Sequence, residues 1–355
     1  MLQWRSRVQP LSKHSFKPLR CRLLSWGADI RRRQFIAGIG GTAAWPLLAH
    51  AQQAMPVIGF LNVSTPEVFA VYVTAFKQGL RQVGYVEGQN LSIEYRWARG
   101  IYDRLPALAT ELVSHHVTVI AANGGSRVAL AAKASTSTIP IVFTFGDGDP
   151  VRHGLVESIN HPGRNVTGVM LLGGALESKR LELLREIAPK ATNVRILVNP
   201  NNAGVLQDIP TVAASAGQVG IGFQVLQAGN EREIDTAFST LAKEQAQALM
   251  VANDAILQTH AAQITALAVR HKISVIYPWR EYAVAGGLIS YGTSIREAYR
   301  QSGLYVGQIL KGSNPAELPV QQPTKFELVV NLNTAKAIGI EMPTSVLLRA
   351  DEVIE

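Results

Sequence analysis

From residue 57 onward, short apolar, β-branched runs alternate with longer stretches whose apolar residues recur at helical spacing. Such alternation folds as parallel sheets with helices covering both faces. Strands are predicted at 57–62 (VIGFLN), 91–96, 117–123, 139–145, 166–171, 194–200, 222–228, 248–254, 273–278, 288–292 and 327–331. Predicted helices between them include 66–84, 104–116, 126–135, 175–188 and 232–245. The first of these has Ser64 or Thr65 as N-cap and Pro66 at its first position, both favourable there. So many strands exceed one small sheet. The expected fold is α/β: two Rossmann-like lobes with parallel sheets of roughly five or six strands, each with its own core. A TIM barrel, which closes eight strand–helix units in about 250 residues, is the alternative.

Upstream, Arg31-Arg32-Arg33 meets an apolar run, Phe35 to Leu48, that ends in Ala49-His50-Ala51. That run is shorter than the roughly 20 residues of a spanning helix, and it contains Gly38, Gly40, Gly41 and Pro46. A basic segment, a short apolar segment and an A-x-A site describe an export signal, expected over residues 1–51 with cleavage near Ala51. The arginines followed by Gln-Phe-Ile resemble a twin-arginine signal, although Arg31 stands where Ser or Thr is usual; general secretion and an uncleaved core helix are the alternatives. The leader also explains the charge. It holds nine of the 34 basic residues and one of the 26 acidic ones, leaving 25 of each in the remainder. The overall pI near 9.6 therefore points to no nucleic-acid or anionic-membrane partner. Cys21 is the single cysteine, so the mature chain is expected to have neither a disulfide nor a thiolate metal site.

In open parallel sheets, ligands bind beyond the carboxyl ends of the strands. The residues there are Asn62, Ser64 and Thr65; Asn123, Gly124 and Ser126; Thr144 and the turn Gly146-Asp147-Gly148-Asp149; Asn199; Asn253 and Asp254; Trp279 and Glu281; and Tyr291. Asn, Ser and Asp at such places serve as helix caps or as ligand contacts, because uncapped helix N-termini attract carboxylates and phosphates. For an amino-acid ligand, Ser64, Thr65, Asn123, Gly124 and Ser126 are candidates for the carboxylate side. Asp149, Asp254 and Glu281 are candidates for the ammonium, and Trp279 and Tyr291 for the apolar part. Asp147 and Asp149 either pair an ammonium or turn the chain around their glycines. Enzyme signatures are missing: there is no G-x-G-x-x-G after the first strand, no G-x-x-x-x-G-K-[ST] and no G-x-S-x-G. His115 and His116 are adjacent on a predicted helix and do not face one site. Neither a metal nor a cofactor is expected.

The segments MPVIGFLNVSTPE, AANGGSRVALAAKASTSTIPIVFTFGDGDPVRHGLVESINHPGRNVTGV and LPVQQPTKFELVVNLNTAKAIGIEMPTSVLLRADEVIE resemble the ABC-transporter substrate-binding proteins of the tryptophan-binding-like kind. The resemblance runs from about residue 55 to the C-terminus. It implies a type I periplasmic binding protein fold: two lobes, a three-segment hinge, and a small solute such as an amino acid bound between them without chemistry. The implied partners are that ligand and an ABC permease with its ATPase, and the implied state is a periplasmic monomer. Turn-rich stretches at 160–168, 291–294 and 311–325 suggest one lobe of 55–165 with 290–318. The other would be 166–289 with 319–345, followed by a tail, 346–355. A ligand sensor for a receptor uses the same fold, and a periplasmic α/β enzyme is a third reading.

Overall fold

Strands of five or six residues with nearly every position buried need cover on both faces, and this fold supplies it. In a computed structural model, residues 55–173 and 176–355 are described, and Ala54–Glu355 forms one compact unit. The leader expected over 1–51 lies outside the described residues. The chain begins with β1 (Val57–Asn62), α1 (Pro66–Gln82), β2 (Ser92–Trp97), α2 (Leu105–Ser114), β3 (Val119–Asn123), α3 (Ser126–Ser135), β4 (Ile141–Phe145) and β5 (Val166–Met170). These five strands form one parallel sheet in the order β2-β1-β3-β4-β5. One face, with Phe60, Ala121 and Val142, joins the core of Phe76 and Tyr299. The opposite face, with Leu61, Ile120 and Phe143, packs with Leu112 and Val128.

The chain continues as α4 (Glu177–Ile187), β6 (Asn193–Val198), α5 (Ala203–Gln218), β7 (Gly222–Gln227), α6 (Glu231–Lys243), β8 (Ala248–Val251), α7 (Ala255–Thr259), α8 (Ala261–Arg270), β9 (Ser274–Tyr277), α9 (Arg280–Val284) and β10 (Ile289–Thr293). Helix α10 (Ile295–Leu310) then packs back against α1 and the first sheet. The last elements are β11 (Phe326–Asn331), α11 (Leu332–Ile338), α12 (Thr344–Leu347) and β12 (Glu352–Ile354). The second sheet has seven strands, β12-β11-β10-β9-β8-β6-β7, with β10 and β11 antiparallel and the other pairs parallel. Two open sheets exclude the barrel.

Local chemistry fixes where these helices start. Asn202, Asn230, Asp254, Ser294 and Asn331 each accept a backbone N–H from the first turn that follows, the capping expected of these residue types.

Sheet membership shifts the expected lobe limits. Strand β5 at 166–170 pairs with β4 in the first sheet, and β10 at 289–293 pairs in the second. Residue Gln321 extends the first sheet, accepting from Met170 N at 2.8 Å and donating to Gly168 O at 2.9 Å. The expected tail contains β12, which pairs with β11. The chain thus passes between sheets after Met170, near 294 and at 322–325. The Pro/Gly/Asn-rich stretch at 160–164 is a loop within the first lobe, because turn residues mark a change of direction and carry no information about which sheet the next strand joins.

Each sheet contains a switch point, where neighbours are added on opposite sides of the first strand: β1 lies between β2 and β3, and β6 between β7 and β8. The loops following β1, β3, β6 and β8 therefore occupy the ligand-binding position of open α/β sheets, one pair from each lobe.

Candidate functional site

Register aligns a polar row at the edge of the first sheet. Asn62 pairs with Asn123, and Asn123 with Thr144, so the three side chains share one face. Asn62 is internally satisfied: its Nδ2 donates to the Tyr299 hydroxyl at 3.3 Å, and its Oδ1 accepts from Ser64 N at 2.8 Å. By contrast, Asn123 Nδ2 and Oδ1 and Thr144 Oγ1 are buried without a partner among the described residues. Gly124 and Gly125 follow with φ of 100° and 127°, conformations that favour glycine. They lead into α3, whose first amide is occupied: Ser126 N donates to Asp147 Oδ1 at 2.9 Å and Oδ2 at 3.1 Å, and Ser126 Oγ donates to Oδ2 at 2.7 Å. Burial pushes the Asp147 carboxyl up to about 6; its bonds from Ser126 oppose the shift, and the nearby charge of Asp254 adds to it.

In the second lobe, Asp254 caps α7. Its Oδ1 accepts from Ile256 N at 2.8 Å and Leu257 N at 2.9 Å. Asn199 Nδ2 reaches both oxygens, at 3.2 and 3.3 Å, and Asn202 Nδ2 donates to Oδ2 at 2.9 Å. The lobes touch through several direct bonds. The Tyr102 hydroxyl donates to Asp254 Oδ2 at 3.4 Å, Asn253 Nδ2 donates to Gly146 O at 3.2 Å, and Ser64 Oγ lies 2.7 Å from Thr259 Oγ1. The Arg127 guanidinium covers the Tyr102 ring at 4.6 Å and donates to Asn201 O at 3.2 Å.

Between these contacts lies a small cavity of about 30 Å³, room for little more than a water molecule while the lobes touch. The first lobe contributes Phe69, Gly124, Gly125, Thr144, Asp147 and Tyr299, and the second Asn202, Asn253, Asp254, Gln258 and Trp279. Two acids from opposite lobes thus share one cavity, and no lysine, arginine or histidine is among its described lining residues.

Residues 60–354 match the family described as ABC transporter substrate binding protein. The chain belongs to that family. It is 25% identical over 268 residues to a tyrosine-binding protein of Clostridioides difficile (strain R20291), covering 75% of this chain and 76% of that protein. Among solved structures it is similar to a conserved domain protein of Vibrio cholerae, with 27% identity and a TM-score of 0.78. It is also similar to an ABC domain from Streptococcus pneumoniae in complex with L-Trp, with 21% identity and a TM-score of 0.77. Each of the two structural alignments covers 84% of this chain and 99% of the other. The architecture is that of the type I periplasmic binding proteins.

In this substrate-binding protein, seven residues singled out from sequence line the cavity: Gly124, Thr144, Gly146, Asp147, Asn253, Asp254 and Trp279. Asn62, Ser64, Asn123, Ser126 and Asn199 stand behind or beside that lining, through the bonds and register described above. Thr65 precedes α1 without a side-chain cap bond. Asp149 is exposed and accepts from Val151 N at 2.8 Å, a turn contact. Glu281 faces the Tyr72 hydroxyl and Arg280 and does not line the cavity; burial raises its carboxyl above the usual range. Tyr291 packs on Phe326, with ring centroids 6.2 Å apart, also away from the lining. The carboxylate expected at the start of α3 is Asp147 itself. Phe69, Tyr299 and Gln258 were not foreseen. Only Gln258 carried a signal, standing four residues after Asp254 and so on the same helical face. No helix of the described residues is long and apolar enough to cross a membrane.

Proposed function

We propose that this protein captures an aromatic L-amino acid between its lobes and delivers it unchanged to an ABC permease, after export to the periplasm and removal of the leader. The observation that carries the reading is the pair of buried acids, Asp147 and Asp254, brought by opposite lobes to one cavity without a lining basic side chain among the described residues. Two like charges disfavour that approach, and a ligand ammonium offsets their repulsion. Closure is thereby coupled to ligand, as domain closure requires. Phe69, Trp279 and Tyr299 give the same cavity aromatic walls for a ring to pack against. The relative named for tyrosine and the structure solved with L-Trp support the same ligand class.

A pH titration tests the electrostatic part. The ligand needs Asp147 ionised, and its carboxyl sits near 6. At pH 5 only about a tenth of the protein is competent, so Kd is expected to rise about tenfold between pH 7.5 and pH 5. The ligand's own amine and carboxyl do not titrate across that window. The effect on folding has the opposite sign. A carboxyl raised from 3.8 to about 6 favours the ligand-free fold most below the unfolded value, and that contribution is lost as the pH rises through 6. A calorimetric Kd that is flat from pH 5 to 7.5 would remove Asp147 from ligand binding.

A further inference from the structure

Counting hydrogen-bond capacity around the cavity separates the acid that shapes the second lobe from the group left free to meet a ligand there. A carboxylate offers about four lone-pair sites. Asp254 spends its sites on Ile256 N, Leu257 N, Asn199, Asn202 and Tyr102, so both oxygens are saturated by the protein. Asp147 takes three bonds, all from Ser126, and retains one site. Gln258 lines the cavity at 6% exposure, and its Oε1 has no partner among the described residues. Thr144 lines it from the first lobe at 1% exposure, with Oγ1 equally unpartnered.

We propose that Gln258 Oε1, rather than Asp254, is the second lobe's direct contact with the ligand's ammonium, completing with Asp147 and Thr144 a three-acceptor site that selects a primary amine. The assignment rests on the amino-acid reading above and names the residues that execute it. Gln258 belongs to α7, the helix Asp254 caps; its backbone N donates to Asp254 O at 3.0 Å. Its side chain therefore lies one turn along the same face, within the field of the Asp254 charge. The acid acts at a distance and holds α7 in place, while the amide makes the contact. A primary ammonium carries three N–H donors, one for each free acceptor. An N-methylated amine leaves one buried acceptor unpaired and places a methyl group against it, which such a site rejects.

The test is calorimetric titration of wild-type protein and Gln258→Ala with L-tyrosine, L-tryptophan and their N-methyl derivatives, with thermal unfolding confirming that the variant is folded. Wild type is expected to bind the parent amino acids about thirtyfold or more tighter than the N-methyl forms. Q258A is expected to lose about tenfold or more for the parents, yet to bind the N-methyl forms at least as well as wild type does, because the deleted side chain vacates the space the methyl needs. Equal weakening for both classes of ligand would mark Gln258 as merely structural and overturn the assignment, as would unchanged affinity for the parents. Either result leaves the amino-acid reading standing. Wild type that binds neither L-tyrosine nor L-tryptophan overturns both.

Discussion

Gly204→Ala is expected to leave the protein folded and to raise the Kd for the proposed amino-acid ligand about a hundredfold or more. Gly204 lies in the first turn of α5, in the second lobe, against the loop that follows β4 in the first. A Cβ there would stand 1.9 Å from the Asp147 carbonyl oxygen and 3.2 Å from His153 Nε2. The nearer atom is backbone, held next to the Ser126–Asp147 bonds, and cannot swing aside as a side-chain tip would. The clash exists only while the lobes touch. An opened protein does not meet it, and alanine is better than glycine inside a helix by about 1 kcal/mol. The substitution therefore works as a wedge. If it reduces the closed population to about a hundredth, apparent affinity falls by the same factor. The readouts are a calorimetric Kd and a melting temperature. Unchanged affinity would mean that closure onto the Asp147 loop is not part of binding.

Asp254→Ala is expected to act on stability first. Removing this carboxylate strands two α7 amides, two asparagine amides and the Tyr102 hydroxyl. Buried donors left unpaired cost about 1–3 kcal/mol each, and relaxation and water recover part of that. A net loss of roughly 3–5 kcal/mol is typical when a buried polar network is broken, which lowers the melting temperature of a chain this size by roughly 10 °C. Asp254→Asn keeps the shape and one acceptor, but it turns a donor toward Asn199 and Asn202, so an intermediate loss is expected. Thermal unfolding of both variants measures the effect, and a loss below about 1 kcal/mol for the alanine variant would contradict the role given to this network. Binding should fall with it, since the negative field over the cavity goes too.

The two-sheet fold was legible because strands such as VIGFLN and IVFTF are buried on both faces, which leaves no way to fold them except under helices. The three-residue strand Glu352–Ile354 was not, since so short a segment has no period to detect. The loops that line the candidate site were legible for a general reason: ligands sit beyond strand ends, and a polar cap such as Asp254 announces such an end. The choice between Asp147 and Asp149 was not, because both flank Gly148 and look alike in sequence. What separates them is Ser126, 21 residues earlier, a contact that exists only after β3 and β4 pair. Phe69 and Tyr299 meet at the cavity from α1 and α10, with ring centroids 6.1 Å apart. No local pattern connects helices separated by most of the chain. Helix caps caused the reverse error: an amide at the start of α3 looked free for a ligand carboxylate, and a protein carboxylate fills it.

In the proposed mode of capture, the ammonium of an amino acid draws together the two acids that opposite lobes bring to the cavity. Titrating the protein with L-tyrosine and L-tryptophan, and in parallel with the same molecules lacking only the amino group, tests it most directly. One-to-one binding of an amino acid, with loss of at least about a hundredfold for its des-amino analogue, is the predicted result, in keeping with the cost of removing one partner of a buried charged contact. Comparable binding of the two would rule out capture through the ammonium.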